Sequence, residues 1–136
     1  LLATALHESA VGYRSHLYQY GGGPGRGLWQ VEPATAADNW DSFIAHRPEL
    51  EWRMRRLGDS WPNGIGLDAT LAANLLVCCA HARLKYWRVP EPLPSRYDVE
   101  GQTRYWSTYY QTSQNPRKEA QFLRVAKLLQ REEWEE

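Results

Sequence analysis

The sequence predicts a mainly α-helical domain. Apolar residues recur at helical spacing along most of the chain, strand-like alternation is nearly absent, and Pro and Gly fall between the periodic segments. The 136 residues are enough for one domain, spanning residues 1–136, around a single core. The only β-structure that we expect is one small hairpin around residues 15–30.

The first two predicted helices flank a glycine-rich loop. One face of the first helix is apolar, through Leu1, Leu2, Ala5 and Leu6. Gly12 should end this helix soon after Glu8, which places Glu8 in its last turn. Residues 18–27 contain too many glycines for a helix and are predicted to line a cleft. Pro33 then opens a second helix, because proline is accepted in the first helical turn.

The stretch of residues 68–86 is predicted to be one central buried helix with Asp68 as its N-cap. Its predicted core face consists of Leu71, Leu75, Val77, Cys78, Ala82 and Leu84. We therefore expect Leu75→Ala to destabilise the protein by about 2–5 kcal/mol.

Proline and capping residues delimit the other helices. One helix is predicted over residues 41–57 with a break at Pro48, and another over residues 98–110 with Asp98 as its cap. A stiff connector at residues 90–94 separates residues 68–86 from Asp98. Pro116 opens the last helix. The predicted packed face of that helix is Phe122, Val125, Leu128 and Leu129.

Composition restricts the partners. Lys plus Arg and Asp plus Glu number 16 each, so the net charge is zero and no cationic excess favours nucleic acid. No apolar run approaches the roughly 18 residues that cross a bilayer, so membrane insertion is not predicted. We interpret residues 1–6 as part of a helix, since they lack the basic start of a signal peptide.

The cysteines predict no metal centre. Cys78 and Cys79 are adjacent in a helical pattern and cannot easily pair with each other, so we expect reduced, buried thiols. The four histidines are scattered, and no Cys-x-x-Cys occurs. The sequence therefore predicts neither a metal nor another cofactor.

Three motifs follow one another in a recognisable order. The pair Glu8-Ser9 precedes the glycine-rich loop, and Gly27-Leu28-Trp29-Gln30 and Pro33-Ala34-Thr35-Ala36 follow it. This order resembles the active site of soluble lytic transglycosylases and goose-type lysozymes, with Trp29 standing where methionine is usual. The resemblance implies a lysozyme-like helical fold. It also implies cleavage of peptidoglycan at the bond between N-acetylmuramic acid and N-acetylglucosamine.

Glu8 is the predicted general acid. Glycosidic cleavage needs a carboxyl group whose surroundings favour its protonated form, and the end of an apolar helix is such a place. Glu8 is also the only carboxyl side chain among residues 1–31. The alternative is an ordinary solvated glutamate at a helix end.

Glu32 decides the predicted reaction type. It stands two residues after Gln30, where goose-type lysozymes carry an aspartate, and the resemblance makes it the base that activates water for hydrolysis. The alternative is a glutamate that only favours the start of the next helix. In that case the sugar's own hydroxyl would attack, as in lytic transglycosylases. We favour hydrolysis.

The resemblance also implies substrate-binding residues. Ser9 belongs to the first motif, and the Gln30 amide would bond a sugar N-acetyl group. Trp29 and Tyr20 offer flat faces for sugar rings. Tyr110 is the best match to the tyrosine of the family's third motif, Ala-Tyr-Asn-x-Gly. The alternative there is an ordinary aromatic helix face with Tyr109 or Trp106 turned inward.

Two later segments, residues 86–94 and Trp106-x-x-Tyr109-Tyr110, resemble bacteriophage-encoded lysozyme-like proteins. The resemblance then covers most of residues 1–115 and implies a phage-encoded enzyme that acts at the bacterial cell wall or in the periplasm. Its partners would be peptidoglycan glycan strands and, in a virion, other phage proteins. The zero net charge and the loose third motif leave open a virion structural or wall-binding protein without turnover.

Overall fold

The computed structural model describes residues 1–10, 18–111 and 113–132. The helices are α1 (Leu2–Ala10), α2 (Pro33–Ser42), α3 (Pro48–Arg56), α4 (Leu67–Ala73), α5 (Leu75–Trp87), α6 (Val99–Tyr109) and α7 (Pro116–Glu132), with short 3₁₀ helices at Tyr20–Gly22 and Ile44–His46. The mainly α class is thus confirmed. In the described ranges, isolated bridges that join Arg26 to Tyr18 and to Val31 occupy the region of the expected hairpin.

Proline and capping residues start several helices as predicted. Pro33, Pro48 and Pro116 each open a helix, and the Asp98 side chain accepts a 2.8 Å hydrogen bond from the Gly101 backbone at the start of α6. The helix predicted over residues 41–57 has the expected break at Pro48, but the predicted start at Asp41 is wrong, because α2 continues through Ser42 and a 3₁₀ turn separates α2 from α3. Gly12, the expected end of α1, lies outside the described residues.

The predicted central helix is two helices that meet at Asn74 and are bent by 105°. The Asn74 side-chain oxygen accepts hydrogen bonds of 3.1 Å from the backbone amides of Leu76 and Val77, which restarts the helix as α5. Asp68 lies inside α4, whose N-cap is Gly66, so its predicted capping role is wrong. In the described ranges no single helix is long and apolar enough to cross a membrane; only the bent pair of α4 and α5 has the length and composition.

Two predicted core positions are exposed. Leu75 opens α5 and is 54% exposed, so the prediction that it lies in the core is wrong. Leu71 of α4, by contrast, is buried as predicted and is 1% exposed. In α7, Phe122 and Ala126 are buried, whereas Leu128 is exposed. The helical phase therefore shifts at Asn74. The buried face of α7 is narrower than the spacing of its apolar residues predicts.

The helices enclose two clusters of buried side chains. The larger cluster joins α1, α4, α5, α6 and α7 with Trp29 and Val31, and it contains Tyr86, Trp106 and Phe122. The smaller cluster consists of Trp40, Ile44, Met54 and Leu84. In this arrangement α7 packs against α1 and α6, while α2 packs against α4 and α5. The end of α1 is thereby brought to the side of α6.

A buried polar network supports the smaller cluster. The Asp59 carboxylate accepts hydrogen bonds from His81 Nε2 at 2.6 Å and from Trp40 Nε1 at 2.9 Å. Asn39 Nδ2 lies 3.2 Å from His81 Nδ1, which assigns the acceptor role to that nitrogen. Burial alone would raise the pKa of Asp59, but the hydrogen bonds from His81 and Trp40 outweigh it and hold that pKa below its usual value.

Candidate active site

Glu8 lies in the last turn of α1, and its side chain is only 15% exposed. Trp106 Nε1 of α6 donates a 3.1 Å hydrogen bond to Glu8 Oε1. The Trp106 ring is buried and stacks on Phe122 of α7, with ring centroids 4.6 Å apart and planes inclined by 17°. Glu8 is therefore a fixed, largely buried carboxyl group, not a solvated residue at a helix end. Trp106 is turned inward, and Tyr110 is buried as well.

The motif Gly27-Leu28-Trp29-Gln30 forms a tight turn. Backbone hydrogen bonds of 3.0 and 2.9 Å between Arg26 and Val31 close it, and Gln30 N donates to Gly27 O at 3.1 Å. Gly27 has φ +70°, and a Cβ there would lie 2.4 Å from Leu71 O and 2.6 Å from Cys78 Sγ. Glycine is needed because no side chain fits between the turn and these two neighbours.

Cys78 belongs to this contact as a free thiol. Its Sγ lies 3.5 Å from the Arg26 carbonyl, which accepts its hydrogen bond. Burial raises the pKa of both Cys78 and Cys79. Both are free, as expected; Cys78 is buried and Cys79 only partly so.

Trp29 supports the core. Its side chain is buried, and its Nε1 donates a 3.0 Å hydrogen bond to the Leu1 carbonyl. The prediction that its face is open to a sugar ring is therefore wrong. The indole packs in the larger cluster of buried side chains.

Gln30 is half-buried and folded back on its own turn. Its Nε2 donates a 2.9 Å hydrogen bond to Gly27 O, and its φ of +48° lies in the left-handed region. The amide is thus held rigidly at the turn. The predicted contacts of Ser9 and Tyr20 depend on side chains outside the described part of the chain.

Tyr110 connects α6 to the turn. Its buried hydroxyl donates to the Trp29 carbonyl, and its ring lies 5.1 Å from that of Tyr86. Burial raises its pKa well above the usual value, and the charge of Glu8 adds to this effect. Tyr110 and Glu8 thus interact electrostatically. The hydroxyl itself bonds the turn and stays neutral.

Lys85 of α5 is a site residue that the sequence analysis missed. Its Nζ donates a 3.0 Å hydrogen bond to Tyr110 O and lies 4.3 Å from the centre of the Tyr110 ring. Burial lowers its pKa, while the charges of Glu32 and then Glu8 oppose this shift. One ammonium group thus lies in the field of both predicted catalytic carboxyls. The only signal in the sequence was a lysine within a largely apolar helix.

Glu32 is exposed at the N-cap position of α2. Within the described part of the chain, its side chain makes no capping hydrogen bond to α2. Glu32 can therefore favour the start of α2 only through its charge. This weakens the alternative in which starting the helix is its only role. Its carboxylate is exposed, and its charge acts on the pKa of Lys85.

Two cavities adjoin these residues. A pocket of about 370 Å³ lies between α2 and α5 and is lined by Lys85, Thr35, Asp38, Asn39 and Arg88, among others. A pocket of about 410 Å³ with a more apolar lining runs along α1 toward α7 and does not include Glu8 or Glu32. The first is lined by Lys85 and the second by Trp106, which donates to Glu8, and the first does not include Glu8 or Glu32 either.

No family model, no curated protein and no solved structure matches this chain. Over the residues that the structure describes, no three His, Cys, Asp or Glu side chains are grouped as metal ligands.

Proposed function

We propose that this chain cleaves the glycan strands of bacterial peptidoglycan between N-acetylmuramic acid and N-acetylglucosamine, with Glu8 as the general acid. The observation that carries the proposal is the 3.1 Å hydrogen bond from Trp106 Nε1 to Glu8 Oε1 in a largely buried setting. It fixes one carboxyl oxygen and leaves the other to deliver a proton. The enzyme would be a lysozyme-like muramidase that a phage encodes for use at the bacterial wall.

The chemistry needs two events at the sugar. Glu8 gives its proton to the glycosidic oxygen, the bond from the anomeric carbon to that oxygen breaks, and positive charge develops on the ring. Either water or the sugar's own hydroxyl then attacks the anomeric carbon. We favour water activated by Glu32, because this carboxylate is exposed and does not cap α2 with its side chain within the described residues.

Digestion of purified peptidoglycan tests the proposal. We expect soluble muropeptides with reducing ends, identified by mass spectrometry, because hydrolysis adds one water. Glu32→Gln should then lower the rate strongly, whereas Glu49→Gln, at an exposed position of α3, should not. A digest dominated by the anhydro product, lighter by one water, would contradict the role of Glu32 and leave that of Glu8 intact.

The same assay addresses the alternative. If the protein sediments with peptidoglycan and releases no fragment during prolonged incubation, Glu8 is not a working acid. That outcome would favour a virion structural or wall-binding protein.

A further inference from the structure

His7 is a buried imidazole next to the rings of Trp106 and Phe122. Its side chain is 7% exposed, and neither Nδ1 nor Nε2 has a hydrogen-bond partner among the described residues. The ring lies edge-on to Trp106 with centroids 4.5 Å apart, and 5.8 Å from the ring of Phe122. An unsatisfied buried polar group costs about 1–3 kcal/mol, so native proteins seldom keep one without a use.

The carboxyl group of Glu8 lies within ion-pair range of this imidazole. His7 Nδ1 is 3.7 Å from Glu8 Oε1, the same oxygen that accepts the hydrogen bond from Trp106 Nε1. This distance is within range of an ion pair but too long for a hydrogen bond. A movement of His7 Nδ1 toward Glu8 Oε1 by about 0.5 Å would bring the pair within hydrogen-bond distance.

Resting on the proposed function, we propose that His7 is a positioning residue whose Nδ1–H forms a hydrogen bond to Glu8 Oε1 as the Glu8 carboxylate develops. During cleavage the proton leaves the other oxygen of Glu8 for the glycosidic oxygen, and His7 keeps its own proton. Charge on Glu8 makes Oε1 a stronger acceptor at that moment. A contact that tightens only in the transition state lowers the barrier without strengthening substrate binding.

This role separates activity from stability. His7→Phe fills the same apolar site between Trp106 and Phe122 and removes two unsatisfied nitrogens. We expect kcat on purified peptidoglycan to fall about 10- to 100-fold, with KM within about twofold and the thermal midpoint unchanged or raised. His7→Asn should retain more activity than His7→Phe, since its amide nitrogen can take the place of Nδ1.

The control is His46→Phe, at an exposed position outside the site, which should leave kcat unchanged. A His7→Phe protein with kcat within threefold of the parent would overturn the inference while the proposed function stands. A fall in kcat that only follows a lowered midpoint would overturn it too, because it shows a structural role. If His7→Phe does not fold, His7→Leu is judged by the same criteria. A parent protein that releases no muropeptide refutes the proposed function, and this inference with it.

Discussion

Replacing Asp59 by Asn removes the negative charge of a carboxylate that accepts two buried hydrogen bonds. The side chain is 1% exposed and accepts from His81 Nε2 and Trp40 Nε1 at 2.6 and 2.9 Å. A hydrogen bond to a charged group is worth about 1.5–3 kcal/mol. Relief of the burial cost of the charge offsets part of the loss, so we expect Asp59→Asn to destabilise by about 2–4 kcal/mol at pH 7.

The pH dependence follows from the lowered pKa of Asp59. A carboxyl whose pKa is lower in the folded than in the unfolded state adds stability above the unfolded pKa of about 3.9. This contribution is lost as the pH falls through the folded pKa. The difference in the free energy of unfolding between the parent and Asp59→Asn should therefore be largest at pH 7 and should decrease below about pH 4.

Urea unfolding followed by tryptophan fluorescence measures both effects. The matched control is Asp38→Asn, whose carboxylate pairs with Arg88 but is 59% exposed and should cost less than about 1 kcal/mol. A loss below about 1 kcal/mol for Asp59→Asn at pH 7, or a difference that persists undiminished at pH 3, would refute the reasoning.

Three further predictions test the fold and the site. In urea unfolding, Leu71→Ala should lower the free energy of unfolding by about 2–5 kcal/mol. Leu75→Ala, at an exposed position, should lower it by less than about 1 kcal/mol. Equal losses of stability would contradict the break between α4 and α5. Gly27→Ala should lower the thermal midpoint more than Gly66→Ala, because both have positive φ but only Gly27 has close neighbours. Lys85→Met removes the ammonium group that donates to Tyr110 O and interacts with the charges of Glu32 and Glu8, so the rate of muropeptide release should fall, and an unchanged rate would exclude Lys85 from the site.

Local chemistry made most helix starts predictable from the sequence. A helix-opening proline or N-cap residue affects only the adjacent helical turn, so its effect can be predicted without knowing the tertiary structure. This holds for Pro33, Pro48, Pro116 and Asp98. Asn74 was missed because the apolar pattern continues across it and hides its capping role. That one residue shifts the helical phase, which explains why Leu75 faces solvent.

The candidate site was only partly predictable. Motifs single out Glu8 and Gln30, but Trp106, the hydrogen-bond donor to Glu8, lies 98 residues further along the chain. Trp106 and Lys85 reach the site through the packing of α5 and α6, which no local pattern reveals. Trp29 was misassigned because a motif position does not state which way an aromatic side chain turns.

The most direct test of the account is the rate of muropeptide release by Glu8→Gln. The change is nearly isosteric, and its amide oxygen can still accept from Trp106 Nε1, so an unchanged thermal midpoint should accompany it. We expect the rate on purified peptidoglycan to fall about 10²- to 10⁴-fold relative to the parent, the contribution of a general acid. Glu49→Gln is the control and should keep the parental rate. A folded Glu8→Gln protein that works within tenfold of an active parent would contradict the assignment of Glu8 as the acid.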